Sequence, residues 1–290
     1  MKENKNKGAR SCEGSEQICK KIFFTDLDGT LLNDQKEITP GNQAAIDLAL
    51  QAGHKVVITT GRPLASALIQ AERLGLLREG CYVIAFNGGE IYDTSLHRSI
   101  YRRTVPKDLI VPIFEEAHRR GIYIQTFSGE EVLSEEDRPE LYDYVKRTLQ
   151  TCRVVPSIAE ELAEEPCKLL AIEETDRSLI EDFRRYLTGR YAGTLNAYFS
   201  NNSYLEIVPD KVTKGQALLW LCGFLQVPVE NSVSAGDAPN DVEMIEAAGI
   251  GVAMANSFPG VKEHADYVTD ADNNHDGAAE IIHRFILKNE

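Results

Sequence analysis

Short apolar runs of β-forming residues alternate with helical patterns at both ends of this sequence. Near the start, the runs KIFFT, KVVITT and CYVIAF are separated by helices, the first of which begins at Thr39-Pro40 and ends before Gly53. Near the end, the runs SVSAG and GVAM alternate with predicted helices at 214–225 and 240–248. Strands and helices that alternate through short links predict an α/β fold built on a doubly wound parallel sheet.

The middle of the chain has a different pattern, in which strand-like runs such as IYIQTF and CKLLAIE mix with three helical stretches. We therefore predict a Rossmann-like core formed by residues 21–89 and 204–290, and an inserted α+β domain, here called the cap, at 90–203. Asn87-Gly88-Gly89 predicts a hairpin turn just before the cap. Residues 1–20 are polar and are predicted to be a mobile leader outside the fold.

The net charge limits the possible binding partners, and the cysteine content indicates the cellular compartment. The chain has 290 residues and a formal net charge of -14, which disfavours nucleic acid and anionic membranes as partners. Its apolar runs are shorter than the roughly 18 residues that span a bilayer. The six cysteines form no C-x-x-C pair and predict reduced thiols in a cytoplasmic protein, although three disulfides are formally possible. A phosphate site in such an acidic chain needs positive charge from a metal, from N–H groups or from a few basic side chains.

The end of the first predicted strand carries two carboxylates, Asp26 and Asp28. Alternate residues of an extended segment point the same way, so both can reach one point beyond the sheet. One carboxylate can attack phosphorus, and the other can protonate the leaving oxygen and then deprotonate water. The carboxylate that acts as the acid has to start protonated, and we expect the neighbouring phosphate and carboxylate charges to raise its pKa. An acidic turn closed by Gly29 is the plain structural alternative.

Three other segments carry polar residues at strand ends or helix starts. Thr60 and Gly61 stand between a predicted strand and a helix, where a hydroxyl and N–H groups form an anion site. Lys214 lies in the first turn of a predicted helix, where its charge opposes the helix dipole, and this position favours a functional role. Asp237 and Asp241 follow the run SVSAG and suit a hard cation such as magnesium. Each segment alone also fits a common turn, a solvated lysine or a helix cap.

Taken in order, the motifs DLDGT, TTGR, Lys214-Gly215 and GDAPND resemble those of the haloacid dehalogenase-like superfamily. FNGG in front of a large insert, and the closing stretch YVTDADNNHDGAAEII, are similar to its Cof-type branch, whose cap is an α/β domain of the IIB kind. The resemblance runs from about Lys21 to the C-terminus. It implies a magnesium-dependent phosphatase that forms an aspartyl-phosphate intermediate with a small phosphorylated substrate.

The resemblance also implies roles for single residues. Asp26 would be the nucleophile, and Asp28 would act first as acid and then as base. Magnesium would be held by the carboxylates of Asp26 and Asp237 and by the backbone carbonyl of Asp28, with Asp241 supporting these ligands. The other implied residues contact the phosphoryl group or the rest of the substrate: the N–H groups of Leu27 and Gly61, the side chains of Thr60, Lys214 and Asn240, and, as substrate contacts, Arg62 and Asn87.

Several functions are compatible with these motifs. A sugar phosphomutase would share the nucleophile but return the phosphoryl group to a sugar, and a catalytically silent protein would bind phosphometabolites and regulate a partner. Dehalogenase chemistry needs neither the second acid nor magnesium, and the complete set of residues favours hydrolysis. Substrates in the resembled branch include sugar phosphates, pyridoxal phosphate and flavin mononucleotide. We expect a monomer or homodimer whose cap meets the leaving group through residues such as Arg102, Arg103 and Tyr198.

Overall fold

The structure, a computed structural model, describes residues 20–287. The predicted leader at 1–20 lies outside this range, except for Lys20. The strands within the range are β1 (Ile22–Thr25), β2 (Lys55–Thr59), β3 (Cys81–Ala85), β4 (Glu90–Asp93), β5 (Arg98–Arg102), β6 (Tyr123–Ser128), β7 (Glu131–Ser134), β8 (Thr151–Val154), β9 (Leu169–Ile172), β10 (Leu195–Phe199), β11 (Tyr204–Pro209), β12 (Ser232–Gly236), β13 (Ile250–Ala253) and β14 (Tyr267–Val268). The α-helices are α1 (Pro40–Gln51), α2 (Leu64–Arg73), α3 (Lys107–Arg120), α4 (Pro139–Thr148), α5 (Ile158–Glu161), α6 (Arg177–Arg190), α7 (Lys214–Phe224), α8 (Val242–Ala247), α9 (Pro259–Lys262) and α10 (Gly277–Ile281).

The core sheet has eight strands in the order β14-β13-β12-β1-β2-β3-β4-β5, of which the first six in that order are parallel. Successive residues of β1 point to opposite faces, so Phe23 packs with α1, α2 and α10, whereas Phe24 packs with α7 and α8. Helices therefore bury both faces of the sheet, and the predicted doubly wound α/β core is confirmed. Parallel strands end at one edge, so the residues that follow β12, β1 and β2 are brought together there.

The cap has its own sheet of six strands in the order β10-β11-β9-β6-β7-β8. Helices α3 and α6 cover the outer face of this sheet, where their apolar residues form a separate core. Helix α4 packs on the inner face together with Phe127, whose ring lies 5.6 Å from that of Phe86 in the core. The inner face of the cap therefore lies against the core next to the hairpin turn between β3 and β4.

The strand pairings correct the predicted cap bounds of 90–203 at both ends. Strand β4 folds back on β3 through the predicted hairpin turn, and β5 pairs with β4, so both strands extend the core sheet. Strand β11, predicted to belong to the core, pairs instead with β9 and β10 of the cap. In both places the physical reason is that each strand pairs with the strand just before it in the sequence through a short connection. By sheet membership, the cap spans about 103–209.

The cysteines and the helices of the described range bear on two other predictions. Cys81, Cys152, Cys167 and Cys222 are free thiols, whereas Cys12 and Cys19 lie outside the described residues. Among residues 20–287, no helix combines the length and the apolar character that crossing a membrane requires.

Candidate active site

The turn after β1 is tight and holds Asp26 at the edge of the core sheet. The N–H of Asp26 donates to the Ala235 carbonyl of β12 at 3.0 Å, so Asp26 continues the strand. Gly29 then has a φ of +86°, and a side chain at this position would begin 2.6 Å from a carboxylate oxygen of Asp237. Only glycine fits both conditions, and the backbone therefore turns away here while Asp26 stays beside β12.

Lys214 joins two of the predicted acids. It opens α7, whose first turn is capped by Thr213, since the hydroxyl oxygen of Thr213 accepts the Gln216 N–H. The Lys214 ammonium lies 2.6 Å from Oδ1 of Asp26 and 2.6 Å from Oδ1 of Asp241, and the lysine is buried. A buried cation needs such partners to offset its loss of hydration. The lysine that opposes the helix dipole therefore points into an acidic cluster.

Asp241 and Asp237 are tied together by the loop after β12. Through Oδ2, Asp241 accepts the N–H groups of Asp237 at 3.1 Å and Ala238 at 3.0 Å, so both of its oxygens are engaged. Asp237 accepts the Thr30 hydroxyl through Oδ1 at 2.8 Å. Asp26 and Asp237 thus each use one carboxylate oxygen in these contacts, and among residues 20–287 the second oxygen of each has no hydrogen-bond partner, so it is available to a ligand.

The cluster contains more acidic than basic groups, and burial shifts their pKa values. Burial raises the pKa of Asp26 to about 8; Lys214 opposes this effect, while Asp241 and Asp237 add to it. Burial, followed by the charge of Asp241, also raises the pKa of Asp237 to about 6. Burial alone would lower the pKa of Lys214, but Asp241 and Asp26 hold that pKa above its usual value. One ammonium among three carboxylates leaves a charge deficit that a further cation would fill.

The three carboxylates have the geometry of a cation site. One ligand atom from each of Asp26, Asp237 and Asp241 lies within 4.8 Å of the other two. A donor set made of oxygen, without histidine or cysteine, suits magnesium or calcium better than zinc. Because Asp241 already uses both oxygens, Asp26 and Asp237 fit as direct ligands and Asp241 fits a supporting role. The residues therefore fit the predicted magnesium ion.

The turn after β2 presents a hydroxyl and an unpaired N–H group. Thr60 is buried, and its hydroxyl oxygen accepts the Arg62 N–H at 3.1 Å. Within residues 20–287, no carbonyl or side chain accepts a hydrogen bond from the N–H groups of Gly61 and Leu27. Backbone N–H groups are strong donors that need a partner, so two unpaired ones at neighbouring strand ends suit an anion.

Asn87 and Asn240 meet beside this turn. The Asn240 side-chain amide donates to Oδ1 of Asn87 at 3.1 Å. Asn87 is buried and has a φ of 55° in the hairpin turn, and a side chain on Gly61 would begin 3.0 Å from its Oδ1. From the cap, the Tyr198 side chain lies beside Asn87. The structure therefore brings Asn87 next to Gly61, with Asn240 and Tyr198 also beside Asn87.

Asp28 is held in a way that the sequence analysis did not predict. Arg62 binds both of its carboxylate oxygens, at 2.7 and 2.8 Å, and Lys36 binds one at 2.8 Å. Burial opposes these bonds, but together they lower the pKa of Asp28 to about 2. In the ligand-free protein, basic side chains and not carboxylates are the nearest partners of Asp28, so the raised pKa expected beside a bound phosphate stays a prediction. Lys36 lies in the polar stretch NDQKE, where no sequence signal marks it.

Arg102 and Arg103 do not face the acidic cluster. Arg102 pairs with Glu164 and Glu90 where the chain enters the cap, and Arg103 is exposed. Both lie at or just after β5, the outermost strand of the core sheet and four strands from β1. The two arginines therefore make no contact with the acidic cluster, whereas Tyr198 lies beside Asn87; which of the three meets the leaving group stays a prediction.

The fold and the ordered motifs match a known family along most of the chain. A family model described as haloacid dehalogenase-like hydrolase matches residues 23–282. The chain belongs to this family. The hydrolase is 30% identical to 5-amino-6-(5-phospho-D-ribitylamino)uracil phosphatase YcsE of Bacillus subtilis, over 94% of this chain and 98% of that protein. A haloacid dehalogenase-like hydrolase from Bacteroides thetaiotaomicron has a crystal structure that matches with a TM-score of 0.85 at 29% identity, over 91% of this chain and 99% of that one.

The hydrolase also shares its fold with a subclass IIB sugar phosphatase. The TM-score is 0.75 at 21% identity, and the match covers 92% of this chain and 99% of the other. At this identity the likeness concerns the fold alone, and it agrees with the predicted IIB type of cap. With the family match, the predicted resemblance is confirmed, and the hydrolase is a phosphatase.

Proposed function

We propose that this hydrolase releases inorganic phosphate from a small phosphorylated metabolite through an aspartyl-phosphate on Asp26, with magnesium as cofactor. The observation that carries the proposal is the position of the Lys214 ammonium, 2.6 Å from both Asp26 and Asp241. A structural ion pair needs one carboxylate, whereas this lysine stands between two of three buried ones at the edge of a parallel sheet. The second oxygen of Asp26 is then available for attack on phosphorus.

The two acids divide the chemistry. In the first half-reaction, a carboxylate oxygen of Asp26 attacks phosphorus, the bond from phosphorus to the leaving oxygen breaks, and Asp28 gives that oxygen its proton. In the second, Asp28 takes a proton from the water that attacks the acyl phosphate, which releases inorganic phosphate and restores Asp26. The carboxylates of Asp26 and Asp237 and the carbonyl of Asp28 would hold the magnesium ion, whose charge offsets that of the phosphoryl group.

The remaining site residues bind the phosphoryl oxygens. The N–H groups of Leu27 and Gly61 and the Thr60 hydroxyl would donate to them, together with the Lys214 ammonium and the Asn240 amide. The Leu27, Thr60 and Gly61 donors lie at neighbouring strand ends, Asn240 lies on the loop after β12, and Lys214 opens α7 and contacts Asp26. Phosphoryl transfer depends mainly on such positioning and charge neutralisation.

Asp28 has to be protonated for the first step, whereas Arg62 and Lys36 keep it ionised in the ligand-free protein. A bound phosphoryl dianion is expected to raise the pKa of Asp28 by repulsion and to attract the two basic side chains. The ion pairs would therefore hold the acid at the side of the site until a substrate arrives.

Substrate candidates are small phosphomonoesters of the sugar phosphate, pyridoxal phosphate and flavin mononucleotide classes. The relative YcsE is named for a 5-phospho-D-ribitylamino compound, so phosphorylated polyols are the first class to test. Release of inorganic phosphate from a panel of such metabolites, compared as kcat/KM, tests the proposal. A phosphomutase would instead transfer the phosphoryl group to a second hydroxyl of a sugar, and a silent binding protein would bind panel members without releasing phosphate.

Chelation is expected to abolish hydrolysis of every phosphomonoester, and added magnesium to restore it, because one lysine does not neutralise three carboxylates and a phosphoryl group. The affinity for magnesium should also weaken as the pH falls from about 8 to about 6. Protons then compete at Asp26 and Asp237, whose pKa values burial raises to about 8 and about 6. Calorimetric titration with magnesium at both pH values measures this. Full activity in excess chelator would contradict the metal assignment.

Asp237→Asn tests the role of Asp237 as a magnesium ligand without an activity assay. Because burial raises the pKa of Asp237, the folded metal-free protein holds this proton more tightly than the unfolded chain, and stability falls as the pH rises from about 4 to about 6. Asn carries no charge, so the variant is expected to melt at a higher temperature than the parent in chelator at pH 8. It should also lose the increase that magnesium gives the parent, whereas the exposed control Asp143→Asn should keep it.

Tyr198→Ala is expected to change the preference among natural substrates more than the turnover of a small aryl phosphate. The Tyr198 side chain lies beside Asn87 on the cap side of the site, so we expect it to contact the leaving group. The ratio of kcat/KM between a polyol phosphate and a small aryl phosphate should shift about 10-fold or more, the scale of one lost pocket contact. Tyr142→Ala, at an exposed cap tyrosine, is the control. Equal losses with both substrates would indicate that Tyr198 only supports the cap.

A further inference from the structure

The turn at Thr60–Arg62 is completed by a side chain of the cap. The Thr60 carbonyl accepts the Asn87 N–H at 3.0 Å, and the Arg62 carbonyl accepts the Phe86 N–H at 3.0 Å. Between them, the Gly61 carbonyl accepts the ammonium of Lys168 at 3.2 Å. Two of the three donors are thus backbone groups of the core, and the third reaches across from the cap.

Lys168 occupies a position built for a cation. It is 1% exposed, and its ammonium lies 2.8 Å from a carboxylate oxygen of Glu206 on β11. The same ammonium lies 5.1 Å from the ring centre of Phe127 in the cap and 5.8 Å from that of Phe86 in the core. A lysine is buried at high cost unless it is paired, and aromatic faces also attract cations. Its partners come from both domains, so Lys168 has its full set of contacts only when the cap is seated on the core.

We propose that Lys168 is a positioning residue, which fixes the phosphate-binding turn when the cap closes, and that Glu206 holds its ammonium in place. The Gly61 carbonyl belongs to the same peptide group as the Arg62 N–H, and this N–H donates to the Thr60 hydroxyl at 3.1 Å. Lys168 therefore holds the peptide that orients the Thr60 hydroxyl. The inference rests on the proposed function, in which that hydroxyl and the Gly61 N–H bind the phosphoryl group.

This role predicts the same effect on every substrate, because all phosphomonoesters present the same phosphoryl group to the turn. Lys168→Met keeps the length of the side chain between the two rings but removes the charge and the donor. It is expected to lower kcat/KM by about 10- to 100-fold, the scale of a lost charged hydrogen bond, in equal proportion for a small aryl phosphate and a polyol phosphate. Lys168→Arg keeps the charge and should retain most of the activity. Lys146→Met, at an exposed cap lysine, is the control and should behave as the parent.

Amide hydrogen exchange supplies a readout that a purely structural ion pair would not move. At a temperature where both proteins are fully folded, Lys168→Met should speed exchange in the segments around 60–62 and 86–87, where the turn is held. If Lys168→Met does not fold, Glu206→Gln is the alternative, because it removes the carboxylate that holds the Lys168 ammonium. It should lower kcat/KM and speed exchange in the same segments, by smaller factors.

Unchanged kinetics would overturn the inference, also where the melting temperature falls and the exchange stays the same. A loss of activity confined to one substrate would overturn it as well, because Lys168 would then be a leaving-group contact. Both results require an active parent protein. A parent that releases no phosphate from the panel would instead contradict the proposed function, so the two failures are distinguishable.

Discussion

Asp26→Asn is expected to abolish phosphoenzyme formation and to lower turnover by at least about 10⁴-fold, the scale of loss when a nucleophile is removed. The amide does not attack phosphorus, while its carbonyl oxygen still accepts the Lys214 ammonium, which also keeps its bond to Asp241. Because burial raises the pKa of Asp26, a neutral residue of the same shape removes a charge that the fold disfavours. We therefore expect the melting temperature in chelator to stay the same or rise. Rapid quenching and mass spectrometry measure the phosphoenzyme.

Asp143→Asn is the matched control for this change, because Asp143 is an exposed cap residue whose carboxylate lies outside the site. It should leave both turnover and the phosphoenzyme at the level of the parent. Near-normal turnover in Asp26→Asn, with an intact fold, would show that another residue is the nucleophile and that the proposed mechanism is wrong.

Asp28→Asn is expected to separate the two half-reactions. With an aryl phosphate, the leaving group needs little protonation, so the attack by Asp26 should survive. Attack of water on the acyl phosphate then lacks its base, a role that typically contributes about 10² to 10⁴ in rate. The expected result is a burst of phenol, up to one per site, followed by very slow turnover. Mass spectrometry of the quenched variant should find the phosphoryl group on Asp26.

Asp28→Asn also removes the ion pairs to Arg62 and Lys36, and this second effect needs its own control. Lys36→Met breaks one of the pairs and leaves the acid in place. The Lys36 side chain is largely exposed, so we expect a change of about five-fold at most and no accumulation of phosphoenzyme. A burst in Lys36→Met as large as that in Asp28→Asn would mean that the ion pair, and not the base, limits the second step.

The acidic cluster could be predicted from the sequence because a parallel sheet collects the residues at its strand ends. Asp26, Thr60 and Asp237 each follow an apolar run, and the alternation with helices makes those runs parallel neighbours. Lys214 could be predicted for a different reason, since its charge is unfavourable at a helix start unless something acidic faces it. The roles of these residues in catalysis stay predictions until they are tested.

The residues missed by the sequence analysis depend on contacts that leave no local pattern. Lys36 reaches Asp28 from a polar loop, in which its backbone has a φ of 63°. Lys168 precedes the run LLAI. Its spacing from Leu170 and Ile172 predicts that all three side chains lie on one face of the strand, but it does not predict which face of the cap sheet packs on the core domain. The cap bounds failed similarly, because the sheet that a strand joins is not encoded in its residue pattern.

The core sheet cannot be finished until most of the chain has been synthesised. β1 lies between β2 and β12, and Thr30 meets Asp237 across 207 positions of sequence. At about 5 to 20 residues per second, that separation corresponds to roughly 10 to 40 s of translation. All strands of the cap sheet fall within 123–209, so this sheet can form while one edge of β1 still has no neighbour. A ribosome that stalls in this interval would therefore hold a folded cap on a half-built core, with the strand that carries the nucleophile open to pairing with other chains.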